Sequence, residues 1–265
     1  MSPRQAVPIF SGKLRWLVGE IRGRIQLLID AEEPSFIKRY VLYRDLAFFL
    51  CIWWAGDRAA DLGRTRTCEA TRIDGRDLLF HHTIGKTIRE GNSALIIIPK
   101  LENWEMDPVR AVDEMVNLAS SNGFDLQGGS LFRPSPPDRR SLANKPFVGN
   151  GPNNRLKLYF SVSSDQRDQE LRAHGGRARV AVTLRLLGAT EQQIMDHCGW
   201  ATSRMFKHYT EIERVSRRCS TVRMLQEAVD VEDDGQASRA DLAGHVYQLL
   251  NSGFKAEPAF RTPQE

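Results

Sequence analysis

The chain has 265 residues and a mass of 30.0 kDa, enough for one large domain or for one domain with a small appendage. Hydrophobic residues make up 41% and charged residues 26%, which argues against a disordered chain, and no run of 18 uncharged apolar residues predicts a membrane span. The net charge of +4 and the pI near 9.0 permit a nucleic-acid partner without requiring one.

The four cysteines are far apart and form no CxxC pair, which argues against a zinc ribbon and against a disulfide scaffold. The stretch from Met1 to Phe10 has no basic region followed by an apolar one, so no secretory signal is expected. These features predict an intracellular protein with reduced thiols, in the nucleus if eukaryotic and otherwise in the cytoplasm or nucleoid.

The first half of the chain is predicted to contain two helices and a small sheet. Apolar residues recur at helical spacing from Lys13 to Leu28, and a more hydrophobic, central helix is expected from about Ser35 to Trp54, ending near Gly56. The segments Leu78 to Ile84 and Ala94 to Ile98 are typical of antiparallel strands. The turn between these strands contains Gly85, Lys86 and Gly91.

The second half is predicted to be helical apart from one long loop. Asp107 and Pro108 mark the start of a helix that continues to Gly123, and the stretch from Gly128 to Pro152 is typical of a loop. Helical patterns follow from Asn154 to Ala173, Arg177 to Leu187, Glu191 to His197, Thr202 to Tyr209 and Val215 to Val229, and a last helix begins at Ser238 after an acidic linker at Val231 to Gln236. We therefore expect a mainly helical α+β fold with a small antiparallel sheet.

Five short segments hold charged and aromatic residues. Together they form a pattern that indicates a function much more specifically than any one of them alone. They are Gly56-Asp57-Arg58-Ala59-Ala60-Asp61-Leu62, Gly85-Lys86-Thr87, His174-Gly175-Gly176-Arg177, Cys198-Gly199-Trp200 and Tyr209. In residue type, order and spacing they resemble the catalytic domain of a tyrosine recombinase. That family has an arginine in a G-x-R-x-x-E-L junction, a lysine in a hairpin turn, an H-x-x-R helix start, a His or Trp after a glycine, and a nucleophilic tyrosine. The resemblance covers roughly Arg44 to Ile212, and Ile194 to Tyr209 resembles the version in eukaryotic Crypton-type mobile elements.

The resemblance implies how a DNA phosphodiester would be held. Arg58 and Arg177 are expected to bind its non-bridging oxygens, because a guanidinium presents a rigid fork of donors. His174 is expected to hydrogen-bond the same phosphate and to assist proton transfer, and Trp200 to supply an indole N–H and a wall for the tyrosine helix. Asp61, in the place of the family's glutamate, is expected to orient Arg58 or its helix.

The resemblance also implies the reaction. Tyr209 is expected to attack phosphorus as a phenolate, which gives a covalent 3′-phosphotyrosyl DNA and conserves the bond energy for rejoining. Because a phenol ordinarily has a pKa of about 10, a cationic pocket must favour the phenolate. Lys86 is expected to protonate the departing 5′ oxygen. The chemistry needs no metal and no other cofactor.

Domain organisation and partners follow from the same resemblance. Residues 1–40 are expected to be an N-terminal helical remnant or linker, 41–230 the catalytic domain, and 231–265 a C-terminal linker and helix. Typical members carry an N-terminal domain that completes a clamp around DNA, so this half is expected to be missing or reduced to one helix. Double-stranded DNA is the expected partner, bound by a homo-oligomer, with no role for a membrane. The C-terminal helix either docks into a neighbouring subunit and couples the oligomer or packs on its own domain.

Two other functions stay open at this stage. One is a catalytically retired domain that only binds DNA or a protein partner, and the other is a type IB topoisomerase-like relaxing enzyme, which shares the Arg, Lys, Arg, His and Tyr chemistry. Four histidines are left out of the expected site. His81 and His82 are adjacent on a predicted strand and point to opposite faces, and His197 and His208 match no position of the family.

Overall fold

A computed structural model gives the positions of residues 9–32, 35–83, 94–136, 141–163, 168, 171–200, 203 and 206. These residues form helices α1 (Ser11–Asp30), α2 (Phe36–Ala55), α3 (Ala59–Leu62), α4 (Pro108–Ser121), α5 (Gly151–Phe160), α6 (Gly175–Leu186) and α7 (Glu191–Cys198), and strands β1 (Ala70–Ile73), β2 (Asp77–His82) and β3 (Ala94–Ile98). This mainly helical arrangement with a small antiparallel sheet confirms the expected fold class.

Helix α2 forms the centre of the fold, as its hydrophobicity predicts. The Ser35 hydroxyl accepts a hydrogen bond from the Lys38 N–H at its start, and Gly56 ends it in the left-handed conformation, with φ of +62°. Between these caps α2 is buried on nearly all sides, because α1, α4 and α6 pack around it. Its end therefore has a fixed position relative to α6.

Helix α1 shares the core of α2. Its buried stripe includes Leu14, Leu17 and Ile21, and it packs against both α2 and α5. The indole N–H of Trp53 in α2 donates to the carbonyl of Ile9 over 2.7 Å, which ties the start of the described chain to the central helix.

The sheet has the strand order β1-β2-β3 with antiparallel pairing throughout. Phe80 at the middle of β2 faces Ala70 on one side and Ile96 on the other. Strand β1 and the short helix α3 lie between the expected central helix and the first expected strand, where no element was predicted. A four-residue strand with an exposed centre leaves no clear hydrophobic pattern. Strand β2 also ends two residues earlier than expected, at His82.

The expected helix from Asn154 to Ala173 is wrong in extent. Helix α5 begins at Gly151, because Pro152 suits a first helical turn, and it ends at Phe160. The residues after it include Ser161 and Ser163, whose hydroxyls bond to the Leu158 carbonyl and the Asp168 carboxylate. Such side-chain bonds compete with a continuing helix.

Helices α6 and α7 form a second hydrophobic cluster beside the main core. Val180, Ile194, Trp200 and Phe206 are buried in it. The capping box of Thr190 and Gln193 starts α7 as predicted, and Gly199 ends it with φ of +60°. Of the expected helix at 202–209 the structure describes only residues 203 and 206, both helical. The expected helices at 215–229 and from 238 onward lie outside the described residues. None of the described helices is long and apolar enough to cross a lipid bilayer.

Candidate active site

Arg58 is placed by the turn that ends α2. It is the N-cap residue of α3, two positions after Gly56, and its backbone N–H donates to Oδ1 of Asp57 over 2.6 Å. Its Nη1 lies 3.4 Å from Oδ2 of Asp61, a buried carboxylate that also lies 3.5 Å from Nη1 of Arg64. The Arg58 guanidinium is thus held from one side by Asp61, and its side chain stays 22% exposed.

Gly56 is needed at this turn for two reasons. Its positive φ disfavours any residue with a side chain, and a Cβ here would lie 3.1 to 3.3 Å from the side-chain carbons of Val180 in α6. The close contact brings the end of α2 against α6. The turn that leads to Arg58 therefore lies directly beside the helix that carries Arg177.

Arg177, in the first turn of α6, is almost fully buried at 1% exposure. Its Nη2 donates a hydrogen bond to the carbonyl of Cys198, and its Nη1 lies 3.9 Å from Oδ1 of Asp57. The guanidinium also lies 5.5 Å from the ring centroid of the buried Trp200. These contacts fix the group in one orientation, which a buried cation requires.

Both arginines line one small cleft. It is bordered by the α2–α3 junction, the strands β2 and β3, and the end of α7. The described residues that line it are Asp57, Arg58, Asp61, His82, Leu95, Ile96, Arg177, Asp196, His197, Cys198 and Gly199. The structure therefore brings Arg58, Asp61 and Arg177 together, although 119 positions of the numbering separate the two arginines, from 58 to 177.

The other expected site residues have different positions. Trp200 contacts Arg177 from beside the cleft, and His174 is the partly exposed N-cap residue of α6. Neither belongs to the described lining of the cleft. Lys86 and Tyr209 lie outside the described residues, so their positions in the site stay predictions.

The lining residues that the sequence reasoning missed include Asp57, His82 and His197. Asp57 directly precedes Arg58 and bridges it to Arg177. His82 is buried on the same face of β2 as Phe80, while His81 is exposed, so the predicted opposite orientation of the two histidines is correct. The only sequence signal for His82 is the alternation of inward and outward residues along β2, which places it on the inward face. His197 lies in the last turn of α7, and nothing in its sequence context marked it.

Burial and charge change the acidity of several groups in the cleft. Burial raises the pKa of Asp57, against the lowering effects of His82 and of the Arg58 N–H, while nearby Asp61 raises it further and Arg177 lowers it. Burial raises the pKa of the Cys198 thiol to about 11. Desolvation lowers the pKa of His197, and Arg177 adds to this effect. Burial thus favours the neutral forms of Asp57, Cys198 and His197 beside the two guanidiniums.

Two guanidiniums that converge on one cleft are suited to hold a tetrahedral oxyanion, because each can donate two parallel hydrogen bonds. The described residues contain no group of three or more His, Cys, Asp or Glu side chains arranged to hold a metal ion. The positions of Arg58 and Arg177 thus make anion binding the chemistry that this geometry supports best.

Comparison with known proteins gives matches by structure. No protein-family sequence model matches the chain, and no curated protein sequence matches it at a significant level. The structure of XerH site-specific recombinase bound to difH substrate in a pre-cleavage complex matches with a TM-score of 0.53 and 13% identity, over 79% of this chain and 52% of that one. The XerH post-cleavage complex with palindromic difH substrate gives a TM-score of 0.50 and 14% identity, over 78% and 50%.

A third solved structure extends the comparison to another recombinase. XerA recombinase matches with a TM-score of 0.50 and 13% identity, over 79% of this chain and 60% of that one. The chain thus spans about half to three fifths of the length of these proteins. The helices and small sheet of the chain have the fold of a tyrosine recombinase catalytic domain.

Proposed function

We propose that the chain cleaves and rejoins double-stranded DNA through a covalent 3′-phosphotyrosyl intermediate, as part of DNA recombination or integration. The observation that carries the proposal is the convergence of Arg58 and the buried Arg177 on one cleft within this fold. The solved structures of XerH, described as pre-cleavage and post-cleavage complexes with difH, support it by analogy.

The two arginines are proposed to stabilise the phosphodiester during attack. Phosphoryl transfer depends mainly on positioning and on neutralising charge at the non-bridging oxygens, and a desolvated guanidinium does both. Arg177 enters this role already oriented by the Cys198 carbonyl and Trp200. Asp61 is proposed to position Arg58 through their 3.4 Å contact.

The remaining roles rest on the resemblance of the sequence. Tyr209 is proposed as the nucleophile and Lys86 as the acid that protonates the 5′ leaving oxygen. His174 is proposed to reach the phosphate from the start of α6, one turn before Arg177. Trp200 is proposed to support Arg177 and the segment that leads to Tyr209. The reaction is proposed to need no metal and no cofactor.

Assembly and biological setting are further parts of the proposal. We infer that the protein acts as a homo-oligomer on DNA, coupled through the segment after residue 236, and that residues 41–230 are the catalytic domain. Origin from a Crypton-type mobile element rests on the segment Ile194 to Tyr209 alone. Removing residues 236–265 is expected to weaken DNA-dependent oligomerisation, measured by analytical ultracentrifugation, and to leave single-subunit cleavage intact.

Cleavage of a suicide substrate tests the proposed reaction. A pool of nicked duplexes of randomised sequence, in which the cleaved strand loses its short 5′-hydroxyl product, should give a protein–DNA band that survives denaturation. Arg177→Ala should reduce this band by at least about a hundredfold. An exposed arginine of the same helix, changed in Arg185→Ala, provides the matched control and should retain the band.

The outcomes separate the alternatives. DNA binding with no covalent band from the wild-type chain would favour the binding-only domain. Relaxation of a supercoiled plasmid, without recombination between two sites selected from the pool, would favour the topoisomerase-like activity. Recombinant products between two such sites are the expected result.

A further inference from the structure

Two buried polar atoms in the cleft face each other without a hydrogen bond. Oδ2 of Asp57 and Nε2 of His82 lie 3.7 Å apart, and among the described residues neither atom has a hydrogen-bond partner. His82 is 3% exposed, and both residues line the same cleft as the arginines. A buried carboxylate oxygen and an imidazole nitrogen in this position are stabilised when a proton lies between them.

The charges of the cleft make that proton sensitive to an incoming anion. Arg58, Arg64 and Arg177 carry three positive charges, and the carboxylates of Asp57, Asp61 and Asp196 carry three negative charges when all are ionised. The cleft is therefore neutral before a phosphodiester binds, and it carries one excess negative charge afterwards. One proton on the pair formed by Asp57 and His82 restores the balance, and the raised pKa of Asp57 favours its uptake.

We propose that binding of a DNA phosphodiester between Arg58 and Arg177 is coupled to the uptake of one proton by Asp57 and His82. The inference rests on the proposed function, since it takes the phosphodiester as the ligand of the cleft. The proton comes from solvent and is held between Oδ2 and Nε2. The pair thereby controls when the cleft accepts a phosphate.

Other titratable groups face the pair from the α2–α3 junction, from α6 and from α7. They are Arg58 and Asp61 beside Asp57, Arg177 of α6, and Asp196, His197 and Cys198 of α7. Strand β3 contributes apolar side chains, and Phe80 of β2 packs edge-on against the His82 ring at 6.0 Å. Cys198 stays protonated at neutral pH because its pKa is raised to about 11. Burial lowers the pKa of His197 from its ordinary value, and its contribution is tested separately.

Proton uptake can be measured directly by titration calorimetry. Duplex DNA is titrated into the full chain, carrying Tyr209→Phe to prevent cleavage, in buffers of different ionisation enthalpy at pH values around 6.5, the ordinary pKa of histidine. The parent protein should take up about one proton more per bound site than the protein with Asp57→Asn or His82→Gln. The control on the other face of β2, His81→Gln, should keep the uptake of the parent. Loss of the uptake in His197→Gln but not in His82→Gln would assign the proton to α7 and overturn the inference.

Affinity gives a second readout of the same coupling. Because Asp57→Asn removes the opposing charge while keeping an oxygen for the Arg58 N–H, it should bind DNA up to about tenfold more tightly than the parent at pH 8. Equal proton uptake in the parent and Asp57→Asn, or weaker binding by Asp57→Asn, would overturn the inference. If His82→Gln does not fold, Asp57→Asn alone decides.

The measurements of proton uptake and of affinity do not depend on whether DNA is cleaved. Proton coupling with no covalent trapping by the wild-type chain would reject the proposed reaction and leave the coupling in place. Covalent trapping without coupling would reject only the role of Asp57 and His82. DNA binding that is unchanged by Arg177→Ala would place the phosphate outside the cleft and overturn the inference.

Discussion

Nη1 of Arg177 lies 3.9 Å from Oδ1 of Asp57, the residue that immediately precedes Arg58. The same oxygen accepts the backbone N–H of Arg58. One carboxylate thus links the two cationic residues of the cleft, one at the start of α3 and the other at the start of α6. Changes at this link are expected to affect stability and anion binding together.

Replacement of Arg177 by alanine is predicted to destabilise the fold. The change leaves the Cys198 carbonyl and the largely buried Asp57 carboxylate without the guanidinium, and it opens a space beside Trp200. The expected loss is about 3 kcal/mol in the free energy of unfolding, measured by urea denaturation. Arg185→Ala, at an exposed position of α6, should stay within about 0.5 kcal/mol of wild type. Equal effects of the two variants would contradict the buried contacts.

Arg177→Ala is also predicted to lower the salt dependence of DNA binding. Each phosphate that a cation neutralises releases counterions, so loss of one contact reduces the slope of log affinity against log salt by about 0.9. A fluorescence anisotropy titration at several salt concentrations measures this slope. An unchanged slope in Arg177→Ala would mean that this guanidinium does not contact phosphate.

Gly56→Ala is predicted to be more destabilising than Gly75→Ala. Both glycines have a positive φ, which costs a residue with a side chain about 1 to 2 kcal/mol. Only at Gly56 does the added carbon also press on Val180, whereas the space around Gly75 is open. Thermal unfolding should therefore show a larger shift for Gly56→Ala, partly recovered by adding Val180→Ala. Equal shifts would mean that the close contact between the end of α2 and α6 is absent.

Several parts of the fold could be predicted from local sequence signals. The ends of α2 and the start of α7 follow from caps whose partners are within four residues. The limits of α5 and the strand β1 could not be predicted in this way, because serine side chains and a short polar strand leave no periodic pattern. Local signals are sufficient where the partner is close in sequence.

The residues of the site also differ in whether local sequence signals could predict them. Arg58, Asp61 and Arg177 could be predicted from their motif, and the structure places them on one cleft. Asp57 and His82 could not, since their approach depends on how β2 packs beside the α2–α3 junction. A sequence alone does not specify contacts between elements that are distant in the chain.

Alkaline pH is predicted to destabilise the protein through Tyr159. Burial, followed by the charge of Asp45, raises the pKa of Tyr159 well above its usual value, and the hydroxyl donates to Asp45 Oδ2 over 2.6 Å. The unfolded chain releases the phenol proton near pH 10, while the folded chain retains it. The stabilisation is therefore complete below pH 10 and is lost as the pH rises above it.

Tyr159→Phe tests this titration. The free energy of unfolding, measured between pH 9 and 11, should fall less steeply in the variant than in wild type. Tyr43→Phe provides the control, because the Tyr43 side chain is only half-buried and its pKa is raised less strongly. Identical pH slopes for wild type and Tyr159→Phe would contradict the buried contact with Asp45.

The central claim is that Tyr209 forms a covalent bond with DNA in reach of Arg58 and Arg177. The most direct measurement is mass spectrometry of peptides from the protein trapped on the suicide-substrate pool after nuclease digestion. The account predicts a nucleotide phosphate on Tyr209, absent from Tyr209→Phe and strongly reduced in Arg177→Ala. A trapped nucleotide on another residue, or no adduct from a wild-type protein that binds the same DNA, would contradict it.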